Sequence, residues 1–504
     1  MSERNRFFKS GVMLTAVALA MRTVSMFFGA FVTRTVGAEG TGLYTIVMTV
    51  YSFAVTLATS GISLTVTRLV ASAIGENKPG EVSRIMRGAV LYSLAFGTLA
   101  TLFLFFGADF LGSKVLADER SVVSLKVLAF SLLPVSLGSV ISGYFVGVKR
   151  VGRNATVQVF GQFAKIVITT ILVVKMAKFG VVKAVVALAL GITITESLAL
   201  ALIALEYLLD RKRYRTIEEG RGAPEVSAVV KMALPLAFSA YVRSVLVNVE
   251  HILIPTKLRE RGESNEESFS HYGILHGMAL PLILYPMTPL SSFSGLLVPE
   301  FAETMSAGNQ RRMSRVASEA INATLTYAAV SAVFIYVFAE ELGYAIYNSY
   351  DAGFYVSVLA PIVPIMYLDH VTDSMLKGIG EQVFSMWVNI SDSLLSVALV
   401  WFLIPRLGII GYAVVIVVME SYNFLLSFIR LRGKIRFEID LPKYLVLPLL
   451  TALLSAYFSK VLFNFAGNSV SPLWLVLKMI FAFSVTFGIL LMLRALKQIK
   501  TAEA

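Results

Sequence analysis

The feature that most constrains the fold is a series of long apolar runs along nearly the whole sequence. A helix needs about 20 apolar residues to cross the hydrocarbon core of a bilayer. Hydrophobic residues make up 57% of the 504 positions and charged residues only 15%, whereas a soluble domain carries about 25% charged residues. We therefore expect an all-α polytopic membrane protein with about 14 transmembrane helices, and an ordinary soluble enzyme is excluded. The expected spans are residues 11–33, 42–70, 86–107, 122–147, 155–177, 182–208, 228–255, 272–298, 316–339, 354–376, 384–404, 409–429, 441–463 and 472–493.

The net charge of +12 indicates topology rather than nucleic-acid binding. Most lysines and arginines fall in loops on the side of the amino terminus, among them 211–213, 311–312 and 430–436. Because basic loops stay in the cytoplasm and the span count is even, we expect both termini to be cytoplasmic and the protein to lie in the cell membrane. Cysteine is absent, which excludes a disulfide, a thiol nucleophile and a cysteine metal site.

The sequence contains an internal repeat at a distance of 231 positions. Residues 83–147 match 314–378 without a gap, including the pairs Gly112 with Gly343 and Gly147 with Gly378. The shift carries the third span onto the ninth, so the repeated unit is six helices, and an even number places both copies in the membrane in the same sense. We expect two six-helix lobes, 1–221 and 222–440, related by a pseudo-two-fold along the membrane normal. Two additional transmembrane helices and a short cytoplasmic tail follow in 441–504.

Charged residues within the spans are functional candidates, because each costs roughly 2.5–3.5 kcal/mol at the centre of a membrane helix. Arg22 and Arg243 lie at similar depths in the first helix of each lobe, and two facing guanidinium groups would bind a phosphate or pyrophosphate. The alternative is that each arginine pairs with a carboxylate, for example Arg243 with Glu250. The remaining charged candidates within the spans are Lys165, Glu196, His251, Asp369, His370, Asp373, Asp392 and Glu420.

Glu250, Asn389 and Asp392 form a candidate site for a coupling ion. Asn389 and Asp392 are three residues apart, which places both on one helix face, and oxygen ligands suit Na⁺ or a proton carrier. The alternative is that Asp392 pairs with a nearby cation or lies at a hydrated helix end. The sequence predicts no cofactor and no metal site, and leaves open coupling to Na⁺ or H⁺.

Several residues predict broken membrane helices. Pro281, Pro286 and Pro289 interrupt the eighth span, and Gly61 marks a comparable weak point in the second. Proline removes a backbone donor, so freed carbonyls must find protein partners or line a cavity. We expect these positions to gate a transporter, although kinked helices also serve purely structural roles.

Several segments resemble a known family. Residues 34–44 (RTVGAEGTGLY), 60–64 (SGISL) with 68–71 (RLVA), 142–147 (SGYFVG) and parts of 272–300 resemble motifs of the stage V sporulation protein B-like polysaccharide transporters. These are relatives of the lipid II flippase in the multidrug/oligosaccharidyl-lipid/polysaccharide (MOP) exporter superfamily. The resemblance extends over about residues 1–435.

The resemblance implies substrate-binding arginines. The first-helix arginines of the family correspond to Arg22 and Arg34, and with Arg68 and Arg243 they form our substrate-binding candidates. The chain departs from the family pattern at Gly29 and Ser142, where many members have arginine, and at Lys165, where arginine is usual.

The implied function is that of a secondary transporter, a flippase that moves a lipid-linked oligosaccharide or cell-wall precursor to the outer leaflet by alternating access. The membrane potential, a cation gradient or both would drive it. The expected partners are a polyprenyl-(pyro)phosphate-linked saccharide, membrane lipids and enzymes of cell-wall or polysaccharide synthesis, with no nucleic acid. The alternatives are a cation-coupled multidrug exporter of the same superfamily, a membrane-embedded glycosyl- or acyltransferase, and a scaffold for wall-synthesis enzymes.

Overall fold

The protein is helical throughout the part that the structure describes. This computed structural model describes residues 3–59, 61–75, 78–148, 150–210, 224–306, 308–466 and 472–502, and every regular element in these ranges is a helix. The expected all-α polytopic class is confirmed.

The chain divides into two compact units, Thr35–Gly273 and Met1–Arg34 with Ile274–Ala504, which we call the N-unit and the C-unit. The N-unit holds the second part of α1 (Glu3–Thr59), then α2 (Ile62–Gly75), α3 (Pro79–Phe110), α4 (Ser121–Gly147), α5 (Val151–Met176), α6 (Val181–Asp210), α7 (Val226–Glu260) and α8 (Asn265–Tyr272).

The C-unit holds the first part of α1 and all later helices. These are α9 (Leu280–Leu284), α10 (Met287–Ser306), α11 (Gln310–Val337), α12 (Ala339–Tyr347), α13 (Tyr350–Leu359), α14 (Val363–Gly378), α15 (Gln382–Leu407), α16 (Ile409–Lys434), α17 (Leu447–Ala466) and α18 (Pro472–Ala502). The lobes 1–221 and 222–440 were drawn from the repeat rather than from packing, and they stay a prediction.

The number of crossings differs from the expected fourteen. Among the described residues, eleven helical segments are long and apolar enough to span a membrane, or twelve if the pair bent by 61° before Met287 is one span. The first two expected spans lie in one helical segment, Leu19–Ile74, which is interrupted at Gly37 (φ 77°, ψ 178°), a conformation that glycine adopts most readily. The expected span 228–255 is helical in α7 but is not among the eleven, and its Arg243 and Glu250 lower its hydropathy. The count of fourteen stays a prediction.

Equivalent glycines make equivalent contacts in the two units. A Cβ on Gly147 would lie 3.0 Å from the Thr67 carbonyl oxygen and 3.0 Å from Val70, so α4 approaches α2 closely. A Cβ on Gly378 would lie 2.9 Å from the Val298 carbonyl oxygen and 2.7 Å from Phe301, so α14 approaches α10 in the same way. Each residue in the second set lies 231 positions after its counterpart in the first. The internal repeat therefore extends to side-chain packing, where small residues let membrane helices approach each other.

The helices beyond the repeat belong to the C-unit. Phe334 and Phe338 of α11 and the turn after it form a buried cluster with Ala452 and Ala456 of α17 and Ala482 of α18. The alanines allow α17 to lie close to its neighbours. These two helices thus form an additional wall on α11 rather than a separate domain.

Candidate functional site

The C-unit contains a broken membrane helix whose free carbonyls are bound by hydroxyl groups. The chain turns at Tyr285–Pro286 between α9 and α10. The Tyr367 hydroxyl donates to the Ile283 carbonyl at 2.9 Å, and the Tyr327 hydroxyl donates to the Pro286 carbonyl at 2.5 Å. Protein donors therefore replace the bonds that a broken helix loses, as a membrane interior requires.

Arg22 lies beside this break. Its neighbour Thr23 shares a 2.6 Å hydrogen bond with the Tyr285 hydroxyl, and the Arg22 guanidinium interacts electrostatically with Tyr367. Arg22 is half-buried, and among the described residues no carboxylate forms an ion pair with it. A guanidinium without a carboxylate partner, next to polar hydroxyls, has donors available for an anionic group.

The other three predicted arginines are not among the residues that contact this helix break within the C-unit. Arg34 is exposed and donates to the Ala345 and Ile346 carbonyls at the end of α12, where a positive charge is favourable. Arg68 on α2 and Arg243 on α7 are exposed and belong to the N-unit. The alternative Arg243–Glu250 ion pair does not form between these two described residues. The four substrate roles stay predictions.

The C-unit also contains an acidic cluster on three helices. Asp369 of α14 interacts electrostatically with Asp392 of α15 and Glu420 of α16, and also with Asp373. Asp373 is neutralised by Lys377, whose Nζ lies 2.5 Å from its Oδ2. The Asp369 Oδ1 atom is buried and has no hydrogen-bond partner in the described part of the chain. Mutually repelling carboxylates are stabilised when they take up a cation or a proton.

The three residues predicted to bind a coupling ion are divided between the units. Glu250 lies on α7 of the N-unit, and Asn389 and Asp392 lie on α15 of the C-unit. The Asn389 amide donates to the Ser385 carbonyl at 2.7 Å, so its oxygen is left as the ligand atom. Within the described residues, no three acidic or histidine side chains meet in an arrangement that would hold a metal ion. The ion role of Glu250, Asn389 and Asp392 stays a prediction.

The predicted helix breaks occur where their residues indicated. Gly61 has φ 68° between α1 and α2, and Pro281 lies in the first turn of α9 after the π-helical stretch Gly273–Ala279. Pro286 ends the turn before α10, and Pro289 lies in its first turn. The gating role of these residues stays a prediction.

Each unit contains a cavity of its own. The N-unit cleft, about 380 Å³, lies among α4, α5 and α6 and is lined by Gly138, Gln158, Gly161, Lys165 and Glu196, with other residues. The C-unit cavity, about 930 Å³, lies between α11 and α18. Its wall is mostly apolar, with polar residues such as Asn322 and Lys443 in one part.

Ion pairs join the end of one helix to the start of another in both units. In the C-unit, Arg430 and Lys434 of α16 contact Glu381 before α15 at 2.8 and 2.9 Å. These contacts, with that of Lys434 the stronger, lower the pKa of the Glu381 carboxyl. In the N-unit, Arg150 before α5 pairs with buried Asp210 at the end of α6.

The glycine-rich motif at 34–44 serves a packing role. A Cβ on Gly42 would lie 1.8 Å from the Phe269 carbonyl oxygen, so α1 approaches α8 with no room for a side chain.

Sequence reasoning missed two parts of these sites. The tyrosines that bind the broken helix, and the association of Asp369 with Asp392 and Glu420, depend on helices distant in the sequence. The prolines signalled that free carbonyls need partners, but no local spacing identifies Tyr327 or Tyr367.

A broken helix beside a membrane-embedded arginine, an acidic cluster on three helices and two related units define the class of polytopic membrane transporters. The model of the family described as polysaccharide biosynthesis protein matches residues 7–305, and the MatE model matches residues 276–402. The chain belongs to the polysaccharide biosynthesis protein family and is a transporter of the MOP superfamily.

Two curated proteins of Bacillus subtilis (strain 168) are similar to this chain. Stage V sporulation protein B is 25% identical over 426 residues, which cover 82% of this chain and 81% of that protein. Sporulation protein YkvU is 19% identical over 414 residues, which cover 81% of this chain and 91% of that protein.

Solved structures share the fold. The inward-facing conformation of a multidrug resistance MATE family transporter of the MOP superfamily matches with a TM-score of 0.68 at 19% identity, covering 83% of this chain and 98% of that one. The outward-facing conformation of a transporter of the same description matches with a TM-score of 0.56 at 18% identity, covering 83% and 95%. The expected superfamily is confirmed.

Proposed function

We propose that the protein is a flippase that carries a polyprenyl-(pyro)phosphate-linked saccharide from the cytoplasmic to the outer leaflet of the cell membrane by alternating access. Both termini are cytoplasmic in this proposal, because the basic loops lie on their side of the membrane. The observation that carries it is Arg22, a half-buried membrane arginine with no carboxylate partner among the described residues, next to a broken helix. Membership of the polysaccharide biosynthesis family and likeness to stage V sporulation protein B support this choice of cargo.

The cargo has parts with different solvent requirements. Its pyrophosphate and saccharide need polar partners, for which Arg22, Arg34, Arg68 and Arg243 are the candidates, while its lipid tail stays in hydrocarbon. The mostly apolar C-unit cavity suits such a tail. Catalysis needs no place in this scheme, since the cargo crosses unchanged.

Two sources of free energy fit the charges. Outward movement of an anionic headgroup is favoured by a negative cell interior at roughly 2.3 kcal/mol per charge per 100 mV. Uptake of H⁺ or Na⁺ by the acidic cluster around Asp392, with Asn389 and Glu250 as further candidates, would reset the empty carrier.

Arg22→Ala tests the proposal in proteoliposomes that contain a fluorescent lipid-linked saccharide and a membrane-impermeant quencher. We expect the initial rate of flipping to fall at least tenfold without a change in thermal unfolding. Arg22→Lys should restore part of the rate, because an ammonium cannot bind a phosphate bidentately. Arg436→Ala, at an exposed arginine outside the spans, is the matched control. Full activity of Arg22→Ala would refute the role of this residue.

A cation-coupled multidrug exporter is the second candidate. The match of residues 276–402 to the MatE model and the acidic cluster of the C-unit favour it. If the purified protein binds cationic drugs and ignores polyprenyl pyrophosphate lipids, this candidate replaces the flippase. Recruitment of wall or polysaccharide synthesis enzymes remains a separate proposal about partners.

A further inference from the structure

The N-unit cleft has the form of a binding site. Helix α6 packs against both α4 and α5, whereas α4 and α5 make few contacts with each other, so a wedge opens between them. Its volume of about 380 Å³ lies within the range of about 300–1,000 Å³ found for small-molecule sites. A Cβ on Gly138 would meet no atom within 4 Å, so the glycine keeps this wall open.

Two opposite charges line the cleft without touching. Lys165 and Glu196 interact electrostatically, but their nitrogen and oxygen atoms lie beyond the 4.0 Å limit of an ion pair. Neither side chain has a hydrogen bond or ion pair within the described residues. Because charges within a membrane helix are costly, a cation and an anion held apart around a cavity indicate a ligand that contacts both.

The internal repeat shows what makes this cleft different from its counterpart. At the distance of 231 positions, Gly138 corresponds to Asp369, Gly161 to Asp392 and Lys165 to Ser396. Helices α14, α15 and α16 pack in the same way as α4, α5 and α6. The C-unit triplet therefore fills with carboxylates the positions that the N-unit triplet leaves open around a lysine.

The residue types define the chemistry of the ligand. An ammonium group offers three donors and a point charge to a carboxylate or phosphate. A carboxylate accepts hydrogen bonds from hydroxyl and amide N–H groups, and the side chain of Gln158, which also lines the cleft, both donates and accepts. A saccharide with an acidic group has the anionic, hydroxyl and amide groups that these three side chains would bind.

We propose that the cleft among α4, α5 and α6 is a subsite for an acidic saccharide unit of the cargo, with its anionic group at Lys165 and its hydroxyl or amide groups at Glu196 and Gln158. This inference rests on the proposed function and adds to it the class of saccharide. The site is distinct from the arginine candidates, which address the pyrophosphate.

The test compares binding of three probes to the full chain in lipid nanodiscs. The probes are a polyprenyl pyrophosphate without sugar, the same lipid with a neutral disaccharide, and the same lipid with a disaccharide that ends in a uronic acid. We expect Lys165→Gln to weaken binding of the acidic probe at least tenfold and of the other two less than twofold. Lys175→Gln, at an exposed lysine on the same helix, should change none of them.

Two further variants separate a ligand site from a structural pair. The exchange Lys165→Glu with Glu196→Lys should not restore binding, whereas a pair that only neutralises itself would tolerate it. Gly138→Leu should fill the cleft and weaken binding of the acidic probe without lowering thermal stability. Gly488→Leu on α18, where a Cβ also meets no atom within 4 Å, is its control.

Each outcome decides between the proposals. If Lys165→Gln weakens binding of all three probes equally, the lysine binds the phosphate and the proposed saccharide subsite is overturned. Unchanged binding in the cleft variants, with tight binding by the parent protein, overturns the subsite and leaves the flippase intact. Failure of the parent protein to bind either lipid-linked saccharide overturns both.

Discussion

Two helix triplets related by the internal repeat differ in charge: a lysine and a glutamate line the N-unit cleft, whereas carboxylates cluster in the C-unit. In the N-unit, Gly138 and Gly161 leave space near Lys165, while in the C-unit Asp369 and Asp392 occupy the corresponding positions. The helices themselves correspond closely, since α15 (Gln382–Leu407) begins and ends 231 positions after α5 (Val151–Met176). In our proposal, the same backbone arrangement binds a sugar in one copy and a cation in the other.

The ion pairs at the helix ends also differ between the two copies of the repeat. Arg150 precedes α5 and pairs with Asp210, whereas Glu381, at the corresponding position before α15, pairs with Arg430 and Lys434. In both copies an ion pair joins the start of one helix to the end of the next, but the acidic and basic residues are exchanged. Pairing across the end of the helix is therefore the property that both copies share.

Replacing Asp392 with the residue of the other triplet should have the largest effect. We expect Asp392→Gly to lower cation-driven transport about 100-fold, equivalent to ~2.7 kcal/mol, because the acidic cluster loses a ligand for the ion. The measurement is the flipping rate in proteoliposomes with an imposed Na⁺ or pH gradient. Gly161→Asp in the N-unit should not restore it in the double variant. A gradient response equal to that of the parent protein would contradict the ion role of Asp392.

Replacing the packing glycines by alanine should lower stability more where less space is available for the Cβ atom. Gly378→Ala brings a Cβ to 2.7 Å from Phe301, whereas Gly147→Ala meets its nearest neighbours at 3.0 Å. Over-packing costs about 1–3 kcal/mol, and we expect Gly378→Ala to lower the Tm more than Gly147→Ala does. Gly138→Ala, with no atom within 4 Å, should not lower it. Equal Tm values for all three variants would contradict the role of the close helix contacts at Gly147 and Gly378.

Removing a tyrosine hydroxyl should lower stability more at the helix break of the C-unit than at the Tyr144–Asp210 contact of the N-unit. Tyr367→Phe leaves the buried Ile283 carbonyl without its donor, a loss of ~1–3 kcal/mol. Tyr144→Phe removes one donor from Asp210, which keeps its contact with Arg150. Thermal unfolding in detergent should show a larger decrease in Tm for the first variant. The opposite order would indicate that the helix break is supported by other bonds.

Glu381→Gln should have the smallest effect, and one that depends on pH. Because Lys434 and Arg430 hold the pKa of Glu381 below its ordinary value of 4.5, its stabilising contribution is present above that value. The contribution is lost as the pH falls through the lower pKa of the folded protein. We expect a small decrease in Tm at pH 7 that disappears in acid. Glu266→Gln is the control, at an exposed glutamate that forms no ion pair with another described residue. A difference in Tm that is the same at all pH values would contradict this assignment.

Features that depend on local composition could be predicted from the sequence. The helical class, the breaks at Gly61 and Pro286 and the repeat all follow from apolar runs, missing donors or matching residues. The boundary between the first two spans was harder to predict from the sequence, because it depends on the backbone angles of Gly37 alone.

Features that depend on distant partners could not be predicted. The Arg34 side chain contacts α12 more than 300 residues away, and no local pattern indicates this. Glu250 and Asp392 share a chemistry but belong to different compact units. Asp369 was recognisable as a costly charge within a span, but its association with Glu420 follows only from the packing of α14 against α16.

We propose a saccharide subsite in the cleft at Lys165 and a cation site in the acidic cluster at Asp392, each within its own helix triplet, and this arrangement has a kinetic consequence. Two ligands that occupy one site exclude each other, and the second acts as a competitive inhibitor of the first. Ligands with separate sites can be bound together, and one affects the other only through the equilibrium between conformations. Added cation should therefore change the maximal rate and the half-saturating cargo concentration together, and excess cargo should not abolish its effect.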